Sequence, residues 1–142
     1  MKKHLIKLTI ASLTLITLIG CTKGVPTKFD LNQLTRVDVQ ITAENSNNEI
    51  IIFEEEQINM VREIFAGIKW EENVESEMDR AEDMKATLFF RYDKNMPERL
   101  LEYFIWFNQE NETSIIIDRE KNSLGSLDKE NTQKLKKILL NN

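Results

Sequence analysis

The chain is 142 residues long, and the stretch of about 110 residues that follows its N-terminal segment suffices for one small domain and not for two. It carries 19 lysines and arginines against 24 aspartates and glutamates, a formal net charge of −5 that disfavours nucleic acid as a partner. Its one histidine, His4, and its one cysteine, Cys21, both fall in the first 21 residues, so everything after them lacks imidazole and thiol. That excludes His-based triads, Cys nucleophiles, ordinary zinc or copper sites and any intrachain disulfide from the rest of the chain.

Lys2, Lys3, His4 and Lys7 make a basic start. Leu8 to Ile19 follows as an apolar run of twelve, interrupted by Thr9, Ser12, Thr14 and Thr17. A membrane-spanning helix needs about 20 apolar residues, whereas a run of this length behind basic residues reads as a secretory leader. The run ends in Leu18-Ile19-Gly20-Cys21, which resembles the lipobox of bacterial lipoproteins. The resemblance implies cleavage between Gly20 and Cys21 and a diacylglyceryl group on the Cys21 thiol. Two acyl chains hold a protein stably at a bilayer where one does not. The expected location is therefore the extracytoplasmic side of the cell membrane, with the membrane itself as partner through the lipid. The alternative is a plain secretory leader followed by a free cysteine. Loss of residues 1–20 removes three lysines and no acids, leaving 16 bases against 24 acids and a net charge of −8.

Residues 21–28 contain Gly24 and Pro26 and read as a tether spanning about 20–30 Å when extended. Lys23 and Lys28 either meet anionic headgroups or simply keep the linker soluble. Residues 29–142 read as one α+β domain. Val37, Val39 and Ile41 alternate with polar residues and predict a strand; Ala43 to Asn48 predicts a turn; Ile50 to Phe53 predicts the returning strand of a hairpin. Glu54, Glu55 and Glu56 open a helix; Ile58, Val61, Ile64, Phe65 and Ile68 recur at helical spacing, and Gly67 marks its end.

Glu71 to Asp83 holds seven acidic residues and Arg80 alone of the bases. It predicts a solvated loop with a short edge strand near Trp70 to Val74. A cation or small ligand is the functional alternative there, although the spacing has no calcium-loop core and no loop glycine. Met84 to Tyr92, Leu100 to Phe107 and Thr113 to Asp118 predict a three-stranded meander, with a turn at Asp93 to Glu98. Pairing Leu88 with Ile105 and Phe90 with Tyr103 puts these residues under the helices and sets Arg91 opposite Glu102. Asn122 to Ser126 predicts a loop. Asp128 caps a closing helix with Leu135, Ile138 and Leu139 on its apolar stripe. The expected fold is a single antiparallel sheet in ββ-α-βββ-α order with two amphipathic helices on one face.

That register leaves Phe89, Phe104, Trp106 and Ile116 on the far face. Either the acidic segment or the Phe29 to Leu34 lead-in folds over them as a second small core, or they form an exposed patch for an extracytoplasmic protein partner. Nothing in the chain calls for a cofactor. Catalysis would have to use carboxylates alone, as glycoside-cleaving pairs do, and no motif singles out a pair. The leading expectation is thus a non-catalytic interaction or regulatory module. A cation- or small-ligand-binding protein is the second reading and a carboxylate hydrolase the third.

Glu56-Gln57-Ile58 at the first helix, Tyr103-Phe104-Ile105-Trp106 in a central strand, and Leu127-Asp128 leading to Leu135 and Leu139 resemble the small YhfM-like lipoproteins of Bacillus and its relatives. The resemblance implies a Gram-positive surface protein held at the outer leaflet of the cytoplasmic membrane. It implies no catalytic residues.

Overall fold

The β-branched and aromatic runs do become strands, and a computed structural model shows how they are ordered. It describes residues 29–42 and 49–140. The leader, Cys21, the tether and the predicted turn at 43–48 lie outside the described residues. After a short 3-10 turn (Leu31–Gln33), β1 (Leu34–Ile41) and β2 (Glu49–Ile52) pair antiparallel, and α1 (Glu55–Ala66) follows. Then come β3 (Lys69–Glu71), β4 (Met84–Phe90), β5 (Arg99–Phe107), β6 (Ser114–Asp118), β7 (Ser123–Leu127) and α2 (Lys129–Leu140). The strands form one antiparallel sheet of seven in the order β2-β1-β4-β5-β6-β7-β3.

The inner face is the core. Val37, Val39, Ile52, Ala86, Leu88, Phe90, Leu101, Ile105 and Ile116 are buried there with Ile58, Val61, Ile64 and Phe65 of α1 and Leu135, Ile138 and Leu139 of α2. A bulge between Leu34 and Arg36 rephases β1, which lets Leu34 and Val37 both point inward although they are three apart. The lead-in joins this same core: Phe29 packs on Phe90 with ring centroids 4.9 Å apart, and Arg62 of α1 ties the carbonyls of Leu31 and Leu34. It does not cross the outer face. Asp128 caps α2 as expected, its Oδ1 accepting from the Asn131 amide at 2.9 Å. Thr132 on α2 and Ser114 on β6 share a buried hydrogen bond of 2.9 Å that seats the helix on the sheet.

Three expectations are corrected. Residues 123–127 form β7 rather than a loop. The Asp118 carboxylate accepts from the amides of Glu120 and Lys121 and tightens the β6–β7 turn, which brings this weakly strand-forming segment back along β6. The far edge strand is Lys69–Glu71, starting earlier than the Trp70 to Val74 stretch and ending at Glu71. The β4–β5 register is shifted by four residues: Leu88 faces Leu101 instead of Ile105, and Phe90 faces Arg99 instead of Tyr103. The turn is the cause. Asp93 accepts the Asn95 amide on its side chain and the Met96 amide on its carbonyl, so the chain reverses there and not at Pro97. Glu102 consequently stands opposite Thr87 and pairs with Lys85, while Arg91 pairs with Glu98 at 2.9 Å. An even shift leaves every side chain of β5 on its expected face.

Candidate functional site

The outer face carries the candidate site. Phe89, Phe104 and Trp106 lie on it, as β4 and β5 alternation requires. Ile116 does not: it pairs with Ile105 and is fully buried under the helices, whereas Ile115 and Ile117 take the outer side. Three isoleucines in a row read equally well in either phase. The Asn108-to-Thr113 turn, closed by the Asn108 amide on the Thr113 carbonyl at 2.9 Å, decides between them.

The three aromatics do not make one open patch. The acidic segment folds over Trp106, which is only 4% exposed. The indole Nε1 donates to the Arg80 carbonyl at 3.0 Å. Arg80 grips Asp83 with both Nη atoms, at 2.7 and 2.8 Å, and donates again to the Phe107 carbonyl at 2.9 Å. Asp83 in turn accepts the Phe107 amide at 2.6 Å. The one base in an acidic run is therefore the clasp that sews the segment to β5. Burial alone would push the Asp83 carboxyl upward, but the Arg80 guanidinium and the Phe107 amide outweigh it and hold the group below its ordinary value. The same contact with Asp83 raises Arg80 further.

Phe104 is roofed by the Arg119 guanidinium, 3.8 Å above its ring. Arg36 lies 3.7 Å over Phe89 and is itself held by Asp38 at 2.9 Å. Phe89 faces Leu100 across the strands, and Leu100 is 52% exposed; Phe53, just past β2, is 64% exposed. The open apolar surface thus lies at the Phe89 end of the sheet, away from Trp106. Leu100 was readable on this face from alternation, but its exposure depends on which segment covers which end.

Two open clefts flank the clasp. One, of about 620 Å³, is lined by Ser76 to Glu82 with Trp106, Ile117 and Arg119; the other, of about 700 Å³, by Arg80, Asp83, Trp106 and the 107–110 turn. Glu75, Glu77 and Asp79 point into solvent, and among the described residues no three acidic side chains converge on a point where a metal ion would sit. On the inner face, burial and the neighbouring charge of Asp118 push the Tyr103 phenol far above its usual range, so it stays protonated. Among the described residues no helix is long and apolar enough to cross a membrane.

No family model and no curated protein matches this chain. A solved structure, a thioesterase-like protein from Clostridium sporogenes, is similar at a TM-score of 0.55 and 24% identity, covering 80% of this chain and 100% of that one. At that identity the likeness concerns the fold.

Proposed function

We propose that this chain is a lipid-anchored extracytoplasmic protein that works by binding a partner and not by catalysis. The anchoring half rests on the leader and on Leu18-Ile19-Gly20-Cys21. The binding half rests on one observation: an acidic domain leaves Leu100 and Phe53 half or more exposed beside the Arg36–Phe89 stack. A cation held by a conjugate base next to open apolar side chains suits a protein surface better than a reacting centre. In the acidic segment, the site of the cation alternative, Asp83 is taken up by the Arg80 clasp, and among the described residues no three acidic side chains converge.

Anchoring is tested by mass spectrometry of the membrane-bound form. A diacylglyceryl residue 21 as N-terminus is expected, and Cys21→Ala should move the protein out of the membrane fraction. An unmodified N-terminus, or retention in the cytoplasm, rejects the reading. Binding is tested by crosslinking on intact cells: Leu100→Ser should lose a specific adduct while its melting temperature stays that of the parent.

The similarity to a thioesterase-like protein favours a hydrolase as the second reading. With imidazole and thiol absent from the domain, a carboxylate is the group this reading assigns to activate water. Incubation of the purified chain with a short-chain acyl thioester near neutral pH decides it. Turnover that disappears with one Asp→Asn or Glu→Gln change supports the hydrolase, and no release of thiol above background removes it.

A further inference from the structure

The sheet ends in a strand with unspent hydrogen-bonding capacity. β2 is the outermost described strand on its side. Which of its main-chain groups face outward follows from the register. The Thr42 amide donates to the Asp83 carbonyl at 3.0 Å, one step beyond the last pair of the β1–β4 register, Ile41 with Met84. Hydrogen-bonded pairs alternate along an antiparallel ladder. Gln40 and Asp38 therefore turn their main-chain groups to β4, and Val39 and Val37 turn theirs to β2. Val39 faces Ile50 and Val37 faces Ile52, so Ile50 and Ile52 spend their groups on β1. The amides and carbonyls of Glu49 and Ile51 point away from the sheet, and alternation sends those of Phe53 the same way.

The side chains on this edge are Glu49, Ile51 and Phe53, with Ile51 49% and Phe53 64% exposed. The strand has neither lysine nor proline nor a bulge; of the devices that blunt an edge it keeps only its short length of four residues and the charge of Glu49. We propose that β2 is a self-association edge and that its occupant is β2 of a second copy of this chain, added antiparallel about a two-fold axis through Ile51.

The register argues for a second copy. Only odd-numbered residues offer outward groups, so a two-fold pairing must match odd with odd. Centring on Ile51 matches Ile51 with Ile51 of the partner subunit and Glu49 with Phe53 of the partner subunit, in both directions, for about six main-chain hydrogen bonds. Centring on Glu49 would oppose two carboxylates, and centring on Ile50 or Ile52 gives fewer pairs. The self-complementary register is thus also the one that keeps the only ionised groups of the strand apart. An apolar pair of Ile51 side chains would meet on the outer face, and the two sheets would continue as one. A contact this short makes a reversible, concentration-dependent dimer. It does not rest on the anchoring reading; it shares Phe53 with the partner surface above, and Leu100→Ser, which leaves β2 untouched, should lose the partner adduct while keeping the dimer.

The test is native mass spectrometry and sedimentation of the full chain in a mild detergent over a range of concentrations. The expected result is a monomer–dimer equilibrium. Ile51→Pro removes an outward amide without touching the bonds to β1, and Ile51→Lys places a charge against its symmetry mate. Each should weaken the dimer by about tenfold or more, with the far-UV spectrum and melting temperature of the parent retained. Ile51→Val should keep the dimer. A parent chain that is monomeric at every concentration, or a dimer that survives Ile51→Pro in a folded protein, overturns the proposal. If both Ile51→Pro and Ile51→Lys unfold, hydrogen exchange on the parent remains decisive: the Ile51 amide should gain protection as concentration rises, and equal exchange at all concentrations overturns the proposal.

Discussion

Trp106 and Asp83 carry most of what is unusual at the outer face. An indole in a sheet that could have been open is instead roofed, and its N–H has a partner in the Arg80 carbonyl. Trp106→Phe keeps most of the apolar volume and orphans that carbonyl, so a loss of about 1 kcal/mol is expected in chemical denaturation. Trp106→Ser empties the site and should cost about 3 kcal/mol or more. Asp83 sets an acid dependence. Its folded-state value lies below the unfolded one, so the clasp contributes its full stability above about pH 4, the ordinary carboxylate value, and loses it as pH falls through the folded value. Asp83→Asn should flatten that part of the stability–pH curve, measured by thermal melts across the acid range, while lowering stability near neutrality.

At the scale of elements, β3 and β7 show how a strand can exist without strong strand-forming residues. Gly125 of β7 faces Trp70 of β3, and a Cβ placed there would lie 2.5 Å from Ile68 Cγ2 and 3.0 Å from the Trp70 ring. A side chain at 125 must displace both. Gly125→Val should cost about 2 kcal/mol or more and expose Trp70, read as a red shift of its fluorescence in a Trp106→Phe background. The closing helix depends on two polar contacts. Asp128→Ala loses the cap and about 1 kcal/mol. Thr132→Val leaves the Ser114 hydroxyl buried without its partner and should cost about 1–2 kcal/mol, and adding Ser114→Ala should recover part of that loss in a double-mutant cycle.

For the molecule as a whole, local pattern and long-range packing decided different things. Alternation in 37–41, 84–90 and 100–107, and the 3.6-residue period of 58–68 and 135–139, were sufficient for an antiparallel sheet with helices on one side, because those periods state which side chains must leave water. The missing imidazole and thiol likewise bounded the chemistry before any fold was known. The sequence could not say which turn residue reverses the chain. Asp93 and Pro97 both invite a turn, and the inner face is satisfied by registers four residues apart. Nor could it say which side of Ile115-Ile116-Ile117 enters the core, since one residue of phase in the preceding turn reverses all three. Arg80 and Asp83 looked like parts of a solvated acidic loop, three residues apart in sequence. Only folding brought them onto the Phe107 backbone and over Trp106, because a clasp is made between segments more than twenty residues apart, and its energy exists only once the sheet beneath it has formed.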